Sequence, residues 1–232
     1  MLLELSYVTL VILVNLFLIY IGFEAIQSTS SEVKGDKRKL VIALLGWQLF
    51  IALLGIFGVL KSYAFPPKIF LTLILPSFLF TGVFLFRNKD KAWIRTIDES
   101  QIVYFQSFRV FVELLLLFSF YKGLFNVEVT IEGWNFDLIF ALTAPIVAYL
   151  VYAKKKLSRR VVLYWNCLGL GVLASIIGVF LTSVYRPEVF GGSSPLLSLE
   201  AFGYPYVLIA GFLMPVAVFL HVLSILQVRQ SV

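Results

Sequence analysis

Cysteine and histidine each occur once in these 232 residues, at Cys167 and His221, and charged side chains make up only 14% of the chain. Each scarcity excludes something. One cysteine permits no intramolecular disulfide and no thiolate metal cluster. One histidine rules out a haem held between two imidazoles. With a single deep carboxylate beside it, it also supplies too few ligands for a closed carboxylate–histidine metal site. Gly-rich phosphate loops, a nucleophile elbow and the H-E-x-x-H pattern are missing as well, so no enzymatic chemistry is advertised and no cofactor is expected. Nothing between the apolar runs reads as a linker or a soluble domain.

What is abundant is apolar surface. The chain is 60% hydrophobic with a mean hydropathy of +0.96, whereas ordinary soluble domains are roughly 45–50% apolar and about 25% charged. A soluble fold of this length could not hide so much apolar surface, but a bilayer solvates it directly. The net charge of +6 does not point to nucleic acid, because the basic residues sit in short connections between apolar runs.

Seven apolar segments are long enough to span, at about residues 6–26, 40–60, 69–87, 102–121, 136–153, 161–184 and 206–227. Each approaches the ~20 residues needed to cross a ~30 Å hydrocarbon core. The expected fold is therefore an all-α membrane protein, one bundle of seven transmembrane helices forming a single domain over residues 1–232. The fifth segment is the shortest. It carries Pro145, as the third carries Pro76 and the seventh Pro215, residues that transmembrane helices tolerate better than soluble ones. The opening "MLLELSYVTLVILVNLFLIYIGF" has no basic n-region, too long an apolar run and no A-x-A site after it. It reads as a retained first span rather than a signal peptide.

Orientation follows from Lys and Arg. One side collects Lys34, Lys37, Arg38 and Lys39, then Arg87, Lys89, Lys91 and Arg95, then Lys154, Lys155, Lys156, Arg159 and Arg160, and finally Arg229. The other has only Lys61, Lys68, Lys122 and Arg186. The positive-inside bias makes the rich side cytoplasmic, with the N-terminus outside and the C-terminus inside. Rhodopsins share that topology, but the seventh segment has no lysine to form a retinal Schiff base.

Arg109 and Glu113 stand inside the fourth span, in "YFQSFRVFVELLLLFSFY". A charge at the helix centre costs about 2.5–3.5 kcal/mol on insertion scales. Gln106, Arg109 and Glu113 share one helical face, and the i, i+4 spacing of Arg109 and Glu113 allows them to pair. Helical depth sets Gln48, Asn166 and His221 at levels comparable to Gln106 and Arg109, with Asn15 nearer the middle. The expectation is a polar cluster of Arg109, Glu113, Gln106, His221, Asn166 and Gln48. It would bind or transport a small polar or anionic solute or an ion, or relay protons through Glu113 and His221. The alternative is interhelical glue in a sensor or an assembly partner. Nearer the outer face, Asn135 is placed to cap the fifth helix and Asp137 to face its dipole, with Glu132 and Trp134 at the interface. The apolar connection 185–205 is long enough to fold over the outer mouth as a lid.

Two resemblances can be stated. "KRKLVIALLGWQ" before the second span is similar to "SRRVVLYWN" before the sixth, which suggests three helices, a linker and three more, as in SWEET sugar transporters; the Pro-Gln dipeptide of that superfamily is absent. The combination of "QSFRVFVE", "TIEGWNFDLIFALTAP", "WNCLGL" and "LHVLSILQ" resembles a family of bacterial integral membrane proteins with no assigned activity. That resemblance implies a bacterial cytoplasmic membrane, with the lipid bilayer as partner, and nothing about activity.

Overall fold

A computed structural model of the chain describes residues 1–231. It is all-helical, with no strand among those residues. Six helices are long and apolar enough to cross a membrane: α1 (Leu2–Thr29), α2 (Val33–Ile56), α3 (Phe70–Asn88), α4 (Glu99–Tyr121), α6 (Arg159–Tyr185) and α7 (Ile209–Gln230). Between α4 and α6 lies a shorter apolar helix, α5 (Asp137–Ala153). Together they have the architecture of a multi-pass membrane protein, in which helices satisfy every backbone group within the segment.

Burial ranks the helices. In the most apolar window of α4 and of α7, 56% of residues are buried, against 11% in α2. The central pair is therefore α4 and α7, and α2 lies at the periphery. The buried apolar core draws on every layer, from Tyr7 and Val14 of α1 to Leu220 and Leu223 of α7.

Proline shapes two of the helices in the same way. A proline has no N–H and its ring clashes with the carbonyl four residues earlier, and a widened preceding turn relieves that clash. In α3 a π-helical turn at Phe70–Ile74 precedes Pro76, and in α7 one at Ile209–Leu213 precedes Pro215, in the same register. The carbonyl that Pro215 frees, on Gly211, accepts the indole N–H of Trp47 at 3.0 Å and so ties peripheral α2 to α7. Ahead of each of these two helices stands another proline ten residues before the first, Pro66 and Pro205, and an aromatic residue precedes it. The local likeness of α3 and α7 is thus clearer than the one between the approaches to α2 and α6. In α5 the π turn, Tyr149–Ala153, follows Pro145 instead.

The connection before α5 does not stay at the end of the bundle. Glu132 is level with the end of α4, where its carboxylate accepts from Tyr121. Three residues later Asn135 is 1% exposed and bonded to Glu113, which is eight residues, or about 12 Å, back along α4. The segment 127–136 therefore dips into the bundle, with Val129 and Thr130 fully buried and Trp134 and Phe136 facing outward. Its turn closes tightly at Gly133, where a Cβ would run into the Glu128 backbone and the Val127 carbonyl. Irregular backbone at such depth is tolerated where protein surrounds it.

Candidate functional site

Arg109 follows a 3-10 turn at Gln106–Phe108 that interrupts α4. Because α4 begins at Glu99, Arg109 is ten residues in, about 15 Å along a helix of 23 residues. That is mid-helix, deeper than its apolar run alone suggested. Its side chain is 2% exposed, as is that of Glu113.

The two do not form the expected pair. Arg109 instead grips Asp137 at the start of α5: Nε donates to Oδ2 at 2.9 Å and Nη2 to Oδ1. Asp137 is 2% exposed, so it is an interior ion-pair partner and not the interfacial first-turn residue that its position suggested. Glu113 accepts from Asn135 Nδ2 at 2.7 Å. Asn135 in turn accepts the backbone N–H of Asp137 at 2.9 Å, which orders the first turn of α5. One dipping segment thus supplies a partner for each buried charge on α4.

On its other side Arg109 Nη1 lies 2.8 Å from His221 Nε2. A guanidinium only donates, so Nε2 is the acceptor and the imidazole proton sits on Nδ1. From there it is donated to Asn166 Oδ1 at 2.7 Å. Asn166 Nδ2 then donates to Val162 O and to Ser224 Oγ. A directional chain runs from Asp137 through Arg109, His221 and Asn166 to Ser224, joining α4, α5, α6 and α7. Gly169 makes room for it, since a Cβ there would sit 2.5 Å from the imidazole Cε1 and 2.7 Å from Phe140 Cε1. Phe140 also lies under the guanidinium, 5.2 Å from Arg109 Cζ to the ring centroid, and stacks on Trp165 at 4.8 Å.

Of the six residues read from sequence as one cluster, Arg109, His221 and Asn166 are bonded in a row, and Glu113 is adjacent to them through the Asn135–Asp137 segment. Gln106 stands apart, donating to Ala217 O at 3.3 Å. Gln48 does not join either, because α2 is peripheral and its Nε2 is buried without a partner. Asn15 bonds its own helix, at Val11 O. Asn135 and Asp137 are the members that the sequence reading left at the interface. The shortness of the fifth apolar segment was the signal of a helix that starts deep. Among the described residues no group of three His, Cys, Asp or Glu is placed to hold a metal ion.

No protein-family model, curated protein or solved structure matches this chain.

A cavity of about 120 Å³ opens onto this network. Arg109, Glu113 and Asp137 form its polar floor, and its walls are apolar side chains of α3, α6 and α7, including Ile74, Ile176, Leu213 and Met214. The far end is roofed by the connection 185–205 and the segment after it: Leu197, Ala201 and Phe202 are buried and line the cavity. That roof is pinned by Tyr63 donating to Leu197 O and by the ion pair of Lys61 with Glu200 at 2.6 Å.

Proposed function

We propose that this chain is a seven-span protein of a bacterial cytoplasmic membrane, N-terminus outside and C-terminus inside, that binds a small uncharged polar ligand on the floor formed by Arg109, Glu113 and Asp137. The positive-inside asymmetry supports the orientation. Short α5 serves as the seventh span in this reading: its length of about 25 Å is supplemented by the buried segment that precedes it.

The observation that carries the binding proposal is unspent hydrogen-bonding capacity beside a cavity. Arg109 has five N–H donors, of which three are committed, to Asp137 and His221. Glu113 Oε1 has no hydrogen-bond partner among the described residues, while Oε2 is held by Asn135. Both residues line the cavity. An anionic solute fits less well than the sequence suggested, because Asp137 already takes the guanidinium in two-point fashion and Glu113 adds a second carboxyl group. A ligand that both donates and accepts, without charge, suits this floor.

The other half of the network supports the structural reading. His221, Asn166 and Ser224 are consumed in bonds to one another and to Arg109, and act as ties between helices. Ligand binding is the step that transporters and sensors share, whereas an assembly partner has no use for it.

Thermal unfolding of the purified protein in lipid nanodiscs tests this. Propane-1,2-diol and acetamide should raise Tm with concentration in the wild type, as any ligand of the folded state does. Acetate should not, and Glu113→Leu should abolish the response. An equal response in Glu113→Leu, or none in the wild type, contradicts the proposal.

A further inference from the structure

The route into the cavity bears on what enters it. Both α3 and α6 lean on α7, and the space between them forms a cleft with α7 as its back wall. At its outer end the cavity continues into a second, surface-open groove of about 380 Å³ between the same two helices, and Pro67, Phe70, Leu181 and Tyr185 line both. The bundle end above is closed by the roof described above and by Tyr185 donating to Ala64 O. The groove opens beside that roof, between the approach to α3 and the end of α6. Its rim carries Phe65 and Leu71, which are 79% and 44% exposed, and at the end of α6 Thr182 and the exposed Arg186. In a bilayer that side faces lipid.

Resting on the binding site proposed above, we infer that the ligand is an amphiphile taken laterally from the bilayer: a long-chain alcohol whose hydroxyl reaches Arg109 and Glu113 while its alkyl chain lies in the cleft between α3 and α6. Three features select this class. Between the floor and the mouth, where Ser62, Lys68, Thr182 and Arg186 add polar groups, the walls are predominantly apolar and aromatic, and a water-soluble solute gains little from them. The floor offers donors from Arg109 and an acceptor from Glu113, and one hydroxyl answers both. A carboxylate head would meet Asp137 and Glu113, and an ammonium head would meet Arg109, so each charged analogue faces a like charge in a site sealed from water.

The experiment uses diazirine-bearing hexadecanol, with the matching fatty acid and alkyl amine, on the full chain in nanodiscs, and maps adducts by mass spectrometry. The alcohol should label cleft residues such as Ile176, Ile177 and Leu213 about tenfold more than either charged analogue, the ratio expected for one hydrogen bond to a charged group. Glu113→Gln keeps an acceptor for Asn135 but removes the carboxylate, so it should bring labelling by the fatty acid up towards that by the alcohol. Leu181→Trp should block the cleft, whereas Leu49→Trp on the lipid-facing side of α2 should not. Equal labelling by all three heads in the wild type would overturn the inference, since the cleft would then hold ordinary annular lipid. If propane-1,2-diol shifts Tm but none of the alkyl probes labels the cleft, the membrane-derived ligand is overturned and the polar site stands. If neither responds, both fall.

Discussion

Arg109 and Asp137, 28 residues apart and on successive helices, face each other as a two-point ion pair, with their side chains 2% and 3% exposed. The pair joins the middle of α4 to the start of α5, and it explains why α5 begins inside the bundle. Its energetics follow from burial. Two charges removed from water gain little over an apolar pair, but one left alone is costly.

Arg109→Leu and Asp137→Leu should therefore each destabilise the protein by about 3–5 kcal/mol, and the double Leu variant by clearly less than either. Unfolding in detergent, read by circular dichroism, gives the cycle. Additive losses would mean that the two side chains do not depend on one another.

His221→Leu strands Nη1 of Arg109 and Oδ1 of Asn166, at about 1–3 kcal/mol for each buried group left without a partner. His221→Gln can still accept and donate, so it should recover part of that loss. Because His221 belongs to the tying half of the network, the response to propane-1,2-diol should survive in the Gln variant. Loss of that response with stability intact would move His221 into the ligand site.

Gly169→Ala should cost about 1–3 kcal/mol by overpacking, since its Cβ would meet the His221 and Phe140 rings. Gly171→Ala, on the same helix with open space around it, should be neutral or mildly stabilising. Equal effects of the two changes would mean that close approach at Gly169 is unimportant.

Topology is checked with single cysteines at Ser193 and Ser158, both exposed, in a background where Cys167 is replaced. An impermeant thiol reagent applied to intact cells should label position 193 and spare position 158. The reverse pattern would invert the orientation proposed from charge.

Much of the architecture was legible because hydropathy in a bilayer is nearly a one-dimensional signal: the apolar runs at 69–87 and 161–184 became Phe70–Asn88 and Arg159–Tyr185. Depth arithmetic also brought Arg109, Asn166 and His221 to one level, where they bond. It failed for Gln48, because depth says nothing about how a helix is rotated or whether it is central. It failed for Asp137 because a residue after polar sequence looks interfacial unless the chain is known to turn inward. Proximity along α4 then made Glu113 the apparent partner of Arg109, although the bond to Asp137 depends on a tertiary turn that no local pattern encodes. The site is a product of that turn.

The most direct test is an experimental density map of the protein in nanodiscs made with native lipid. The account predicts Arg109 bound to Asp137 and His221, Glu113 bound to Asn135, and elongated density in the α3–α6 cleft ending within hydrogen-bonding distance of Arg109 and Glu113. A map in which the remaining Arg109 donors close directly onto Glu113, with α3 packed against α6 and no cavity between them, would contradict it.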